Sequence, residues 1–297
     1  MKIIIISLAL LLASSPSWAK LSVFACEPEW AELSKELGGD KVSVFSATTG
    51  LQDPHFIQAR PSLIAKARQA KLLVCTGAEL ESGWLPLLQR KSGNSAIQTG
   101  ATGYFMATDY VTLLGIPTSL DRSQGDVHAA GNPHIQTSPI NIMHVGKALS
   151  QRLQQLDQGN ADYYQHRWQD FKQRWQAAIT QWQQQAKPLK SKDFVVQHDS
   201  WLYLFDWLGL NKVIVLEEKQ GVSPTVKELN NVLNQLKSTP AQIVIHAAYQ
   251  SPRASDWLVD KTEIKKVALA FTIGGNEQSN DLFSLFDDTI QRLLDTN

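Results

Sequence analysis

The sequence has no excess of charge of either sign, no apolar run long enough to span a bilayer, and two cysteines in 297 residues. Its 28 basic and 28 acidic residues sum to a formal charge of zero, which removes the electrostatic case for nucleic acid or an anionic membrane surface as a partner. A spanning helix needs roughly 20 consecutive apolar residues. The apolar stretch at residues 3–12, broken by Ser7, falls short of that and sits between Lys2 and a small-residue region at 14–19. This order of features predicts a secretory signal peptide, cleavage after Ala19, and a soluble exported chain beginning near Lys20. No cysteine stands at the cleavage site, so no lipid anchor is expected there. Cys26 and Cys75 form an even pair in an exported chain. Each ends an apolar strand-like run away from the histidines, which favours a disulfide over thiolate metal ligands.

What is present is an ordinary globular composition, 43% hydrophobic and 19% charged, in a chain long enough for two lobes. Short β-rich runs at 21–26, 42–46 and 71–75 alternate with helical patterns at 30–37 and 61–70. The alternation resumes with strands at 193–197, 213–216, 241–245 and 266–271 and helices at 201–208, 223–237, 251–262 and 280–294. Ser223 and Pro224 supply an N-cap and first-turn pair for the second of these later strand–helix units. Such alternation predicts parallel sheets covered on both faces. Residues 92–131 read as irregular, apart from an apolar piece at 110–114. No internal repeat or low-complexity segment stands out.

Between the two alternating blocks lies the longest periodic segment. Tyr164, Trp168, Phe171, Trp175, Ile179 and Trp182 fall at spacings of three or four, one stripe of a helix, with Asn160 as N-cap and Pro188 as terminator. About 28 residues at about 1.5 Å each make a rod of roughly 40 Å. Under four heptads with tryptophan-heavy stripe positions suit packing across two lobes better than a coiled-coil dimer. The expected organisation is therefore a signal peptide at 1–19, an α/β lobe at 20–158, a linking helix at 159–187, and a second α/β lobe at 188–297.

The chemistry centres on histidine. His128 and His134 stand six apart in the small-residue, turn-rich segment 125–134, with Asp126 nearby. In doubly wound sheets ligands bind beyond the carboxyl ends of strands. His198 and His246 each follow a strand, and His55 lies in Asp53-Pro54-His55 after the second strand. Imidazoles converging from separate loops suit Zn²⁺, although no spacing here matches a local zinc signature. His144 and His166 fall inside helical patterns and read as structural or solvated.

At these residues the chain resembles the periplasmic substrate-binding proteins of zinc and manganese ABC importers. The resemblance rests on Asp53-Pro54-His55 with Arg60-Pro61-Ser62, on residues 72–81, on Asn132-Pro133-His134 with Ser138-Pro139-Ile140-Asn141, on the long helix and on His198-Asp199. It implies two lobes stiffened by one rigid helix, a metal ion in the cleft between them, a monomer in the periplasm, and delivery to a membrane permease. Matched position by position, His55, His134 and His198 fall on the family's first three ligand positions. The fourth is usually a carboxylate just after the last strand, where this chain has Phe271-Thr272-Ile273 instead. His128, His246, Glu277 or a water could fill it, and His128 is preferred because its loop is nearest to His134. Glu27, Glu29, Asp53, Asp126 and Asp199 are candidates to orient the imidazoles. The His- and acid-rich loop of zinc-specific relatives is absent.

Three or more imidazoles favour Zn²⁺ over the harder Mn²⁺, which remains the alternative cargo. A secreted zinc hydrolase, with three histidines and an activated water, is the competing reading from another class. No HExxH pairing supports it.

Overall fold

Two four-stranded parallel sheets, each covered by helices, are joined by one long helix; the computed structural model describes residues 19–118, 125 and 127–296. The expected signal peptide, except Ala19, and Asp126 lie outside the described residues. Among those described, no helix is long and apolar enough to cross a membrane.

The first sheet runs in the order β2-β1-β3-β4, with β1 Leu21–Ala25, β2 Val42–Ser46, β3 Leu72–Cys75 and β4 Tyr104–Met106. Its helices are α1 Pro28–Gly38, α2 Pro61–Gln69, α3 Leu85–Ser92 and α4 Pro139–Leu156. β3 is buried throughout, as a strand covered on both faces must be, and so carries no alternation. β4 falls inside the segment that the sequence marks as irregular. Three residues are too few to show a period, and only pairing with β3 makes them a strand. Cys26, just past β1, and Cys75, the last residue of β3, are joined in a disulfide with Cα atoms 4.8 Å apart.

The second sheet repeats the order as β6-β5-β7-β8, with β5 Asp193–Val196, β6 Asn211–Val215, β7 Ile243–Ala247 and β8 Lys265–Leu269. The lobes are thus structural repeats without a detectable sequence repeat. In both, neighbouring strands of the central pair lead to opposite sides, a switch point that opens a crevice at the strands' carboxyl ends. The helices here are α6 Leu202–Leu208, α7 Val226–Leu236, α8 Arg253–Val259 and α9 Leu282–Leu294. α7 starts later than Ser223-Pro224 suggests: Thr225 is the N-cap, and it forms a capping box with Glu228.

The linking helix, α5 Ala161–Gln185, buries all six residues of its apolar stripe. Asn160 precedes it but makes no side-chain cap, its amide donating to Asp157 instead. One hydrophobic core passes from Leu21 and Trp30 of the first lobe through Trp168, Trp175 and Trp182 to Phe194 and Phe286 of the second. Two smaller clusters, around Leu73 and Trp84 and around Val244 and Leu258, fill the outer faces of the sheets. The lobes therefore share their largest core. Two of the indole N–H groups inside it find acceptors, Trp175 donating to the Pro139 carbonyl at 2.8 Å and Trp182 to Asp287 at 2.6 Å.

Candidate metal centre

Three loops bring His55, His128, His134 and His198 together at the carboxyl ends of the strands, His128 and His134 coming from the same one. His55 follows β2 through a turn that the opposite lobe holds in place: a Cβ on Gly50 would lie 2.4 Å from the Gly274–Gly275 backbone. Trp84 fixes the next residue back by donating to the Pro54 carbonyl at 3.0 Å. His134 precedes α4, and its amide donates to the Asn132 side chain at 2.9 Å. Asn132 is tied in turn to the second lobe, its amide group donating to the Asp199 carbonyl at 2.7 Å and its own carbonyl accepting from Tyr203 at 2.6 Å. His198 stands two residues beyond β5.

The imidazole edges meet in two pairs. His55 Nε2 is 3.2 Å from His128 Nε2, and His134 Nε2 is 3.3 Å from His198 Nε2. Across the pairs, ring centroids are 5.5 Å apart for His55 and His134, 6.2 Å for His55 and His198, and 6.4 Å for His128 and His134. A tetrahedral ion with metal–nitrogen bonds of about 2.0–2.1 Å separates its donors by about 3.3–3.4 Å, so each pair already has the spacing of one tetrahedron edge.

Carboxylates orient two of the rings. Asp53 accepts from His55 Nδ1 at 2.7 Å, and Glu217 accepts from His198 Nδ1 at 2.7 Å, leaving Nε2 of each directed at the other imidazoles. Burial opposes the ionisation of Asp53, but its bonds to His55 hold the carboxyl below the ordinary range. His134 is buried, packs edge-on to Phe271, and finds no hydrogen-bond partner for Nδ1 among the described residues. Burial, then the neighbouring imidazoles, push its pKa well below the usual value, and the same causes take His128 down to about 4. Both are therefore neutral donors at neutral pH, the form that binds metal.

Several sequence candidates lie elsewhere. His246 is inside β7 and not beyond it, buried with Ser255 Oγ 3.4 Å from its Nδ1. Glu277 is exposed, and His144 and His166 are on solvent-facing helix surfaces. Asp199 pairs with Lys212 instead of an imidazole. Glu217, which does orient an imidazole, went unnoticed in the sequence. The signal for it is the one that found His198, since Glu217 stands two residues past the end of β6.

Glu27 and Glu29 join Glu81 in a buried carboxylate cluster. Glu27 and Glu81 both accept from the Thr76 amide, and Glu29 receives the Thr272 hydroxyl from the other lobe. Thr272 is thus engaged by α1. Burial raises all three carboxyls, Glu29 from about 4.5 to about 7. A carboxyl that binds its proton more tightly when folded contributes stability below its unfolded value and loses it as pH rises through the folded value. Glu29→Gln should therefore gain stability over the wild type at pH 8 relative to pH 5.5, by about 2 kcal/mol. The buried histidines slope the other way but are common to both proteins. Urea denaturation at the two pH values measures the difference, and an unchanged gap would exonerate Glu29.

A polar cavity of about 210 Å³ adjoins His55 and His198, lined also by Gln197, Tyr249 and Gln250. A larger groove of about 390 Å³ lies at the opposite ends of the second lobe's strands, around Lys192, Gln242 and Lys265, and holds none of the histidines.

Two parallel α/β lobes on a shared core, joined by one long helix and closed over clustered imidazoles, define the class of metal-binding substrate-binding proteins of ABC transporters. The chain belongs to the ZnuA family, described as zinc-uptake complex component A, periplasmic, whose model matches residues 23–296. It is 24% identical over 236 residues to the manganese ABC transporter substrate-binding lipoprotein PsaA of Streptococcus pneumoniae, covering 76% of this chain and 72% of that protein. It is 21% identical over 268 residues to the high-affinity zinc uptake system protein ZnuA of Bacillus subtilis, covering 89% and 82%. A crystal structure of ZnuA shares the fold with a TM-score of 0.78 at 21% identity, over 94% of this chain and 100% of that one. A cadmium-bound periplasmic metal-binding protein from Candidatus Liberibacter asiaticus does so with a TM-score of 0.76 at 17% identity, over 93% and 99%. The family is one of transport proteins, not enzymes.

Proposed function

We propose that this protein captures Zn²⁺ in the periplasm through His55, His128, His134 and His198 and delivers it, as a monomer, to an ABC permease. The supporting observation is the pair of Nε2–Nε2 contacts at tetrahedral-edge spacing, made by four imidazoles from three loops. On this reading residues 20–158 and 188–297 are the two jaws of the site and 159–187 the stay between them, with residues 1–19 removed on export. His128 takes the place of the family's carboxylate, so the donor set is all nitrogen and uncharged. Such a set favours Zn²⁺ over Mn²⁺, which prefers oxygen donors. The relatives named for manganese make Mn²⁺ the alternative cargo.

Calorimetric titration of the mature chain tests this. The expected result is one Zn²⁺ per chain, bound at least about 100-fold more tightly than Mn²⁺, with His128→Ala weakening Zn²⁺ by about 10- to 100-fold. Equal affinities for the two ions would overturn the cargo assignment. Unchanged affinity in His128→Ala would remove that residue from the ligand set. A zinc-dependent esterase or peptidase activity in the loaded protein would instead support the hydrolase.

A further inference from the structure

The turn that carries His128 belongs to the first lobe in sequence but is fastened to the second. Gly125, three residues before His128, forms a parallel backbone bridge with Gln220 in the loop after β6. The approach is close: a Cβ on Gly125 would lie 2.1 Å from the Gln220 carbonyl oxygen, and the φ of +87° already favours glycine. The next residue of that loop, Gly221, donates its amide to Glu217 Oε2 at 2.9 Å. The same oxygen accepts from His198 Nδ1. On its other side the His128 turn is anchored to the first lobe, where the Ala129 amide donates to Glu79 Oε2 at 2.8 Å. Ala78 and Glu79 are both held at positive φ, 46° and 68°, a backbone strain that marks this anchor as fixed by its surroundings.

We propose that Glu217 is a positioning residue that couples His198 to His128, through the Gly221 amide and the Gln220–Gly125 bridge. The two imidazoles, one from each lobe, then engage and release the metal together. The inference rests on the ligand set proposed above. Its physical basis is that one buried carboxylate oxygen holds two donors. If His198 is held in its metal-binding orientation, the Glu217 oxygen stays where the Gly221 amide needs it, and the loop keeps its grip on Gly125. Loss of either bond frees the other partner, and the His128 turn loses its only backbone tie to the second lobe among the described residues.

The test is the rate of Zn²⁺ release into excess chelator, measured by stopped flow on the mature chain. Gly125→Ala, which touches no proposed ligand, should release Zn²⁺ about tenfold faster than wild type. Placed on His128→Ala, it should add less than about twofold, because the bridge acts through that imidazole. Glu217→Gln combined with Gly125→Ala should be no more than about twofold faster than the faster single variant. Gly125→Asn tolerates positive φ yet still carries a Cβ, and should release as fast as Gly125→Ala. Each variant is compared only after a 1:1 Zn²⁺ stoichiometry and a wild-type melting transition show that it is folded. Fast release from His128→Ala with wild-type release from Gly125→Ala would overturn the coupling, as would rates that multiply independently in the double variants. Wild-type release from Gly125→Asn would assign the effect to backbone strain and also overturn it. Wild-type release from His128→Ala would instead overturn the ligand set on which the proposal stands.

Discussion

His134→Ala should lose Zn²⁺ affinity by roughly 70- to 1,000-fold. Four-donor zinc sites bind by about 10–16 kcal/mol at neutral pH, so one donor in four is worth about 2.5–4 kcal/mol. His134 should show the full value because nothing can replace it. It is buried, its ring meets His55, His198 and Phe271, and its pKa is held so low that metal binding displaces no proton from it near neutral pH. Removing the ring leaves a space that Phe271 cannot fill with a donor. His246→Ala is the control, because that residue bonds within its own lobe and should change affinity by less than about twofold. Competition with a fluorescent chelator at pH 7.5 measures both. A loss below about tenfold in His134→Ala, or an equal loss in His246→Ala, would break the assignment.

Trp175→Ala should cost about 4 kcal/mol of stability, the upper range for emptying a buried aromatic position. Trp175 is fully buried midway along α5. It contacts Phe171 at 5.2 Å between ring centroids, Trp182 at 5.1 Å, Phe283 at 4.8 Å and Phe286 at 5.6 Å. Its indole N–H also closes the Pro139 carbonyl at the start of α4. The truncation therefore opens a cavity between the lobes and leaves a buried carbonyl without its donor, and both effects act in the same direction. Urea denaturation followed by circular dichroism reads the loss as a lower midpoint. A cost below about 1 kcal/mol would mean that the lobes do not depend on the core they share. Because α5 holds the two jaws of the proposed site at a fixed separation, the same variant should also bind Zn²⁺ more weakly than the stability loss alone explains.

The α5 stripe was legible because a long amphipathic helix writes its period into the sequence, and all six of its apolar positions are buried. Most strands were legible as short apolar runs between turns. β4 was not, since a three-residue strand is defined by its neighbour and not by its own pattern. Displaced ends, such as the start of α7 at Thr225 or His246 lying within β7, came from caps and pairings that local patterns do not reveal. His55, His134 and His198 could be placed from strand ends and the family resemblance. Glu217 was passed over because a lone carboxylate after a strand is common, and only the fold brings it to an imidazole.

The sequence by itself determined the class of the protein: alternating strands and helices, a stiff tryptophan-lined helix between two blocks, and histidines at strand ends. These follow from local periodicity and residue chemistry, which act over a few residues. Tertiary structure alone decided which imidazoles meet, that Thr272 turns to Glu29, and that the His128 turn is held by a loop of the other lobe. Those are contacts between residues 64 to 243 positions apart in the chain. Their partners are chosen by how two separately patterned lobes pack on a common core, a fact that no local stretch contains.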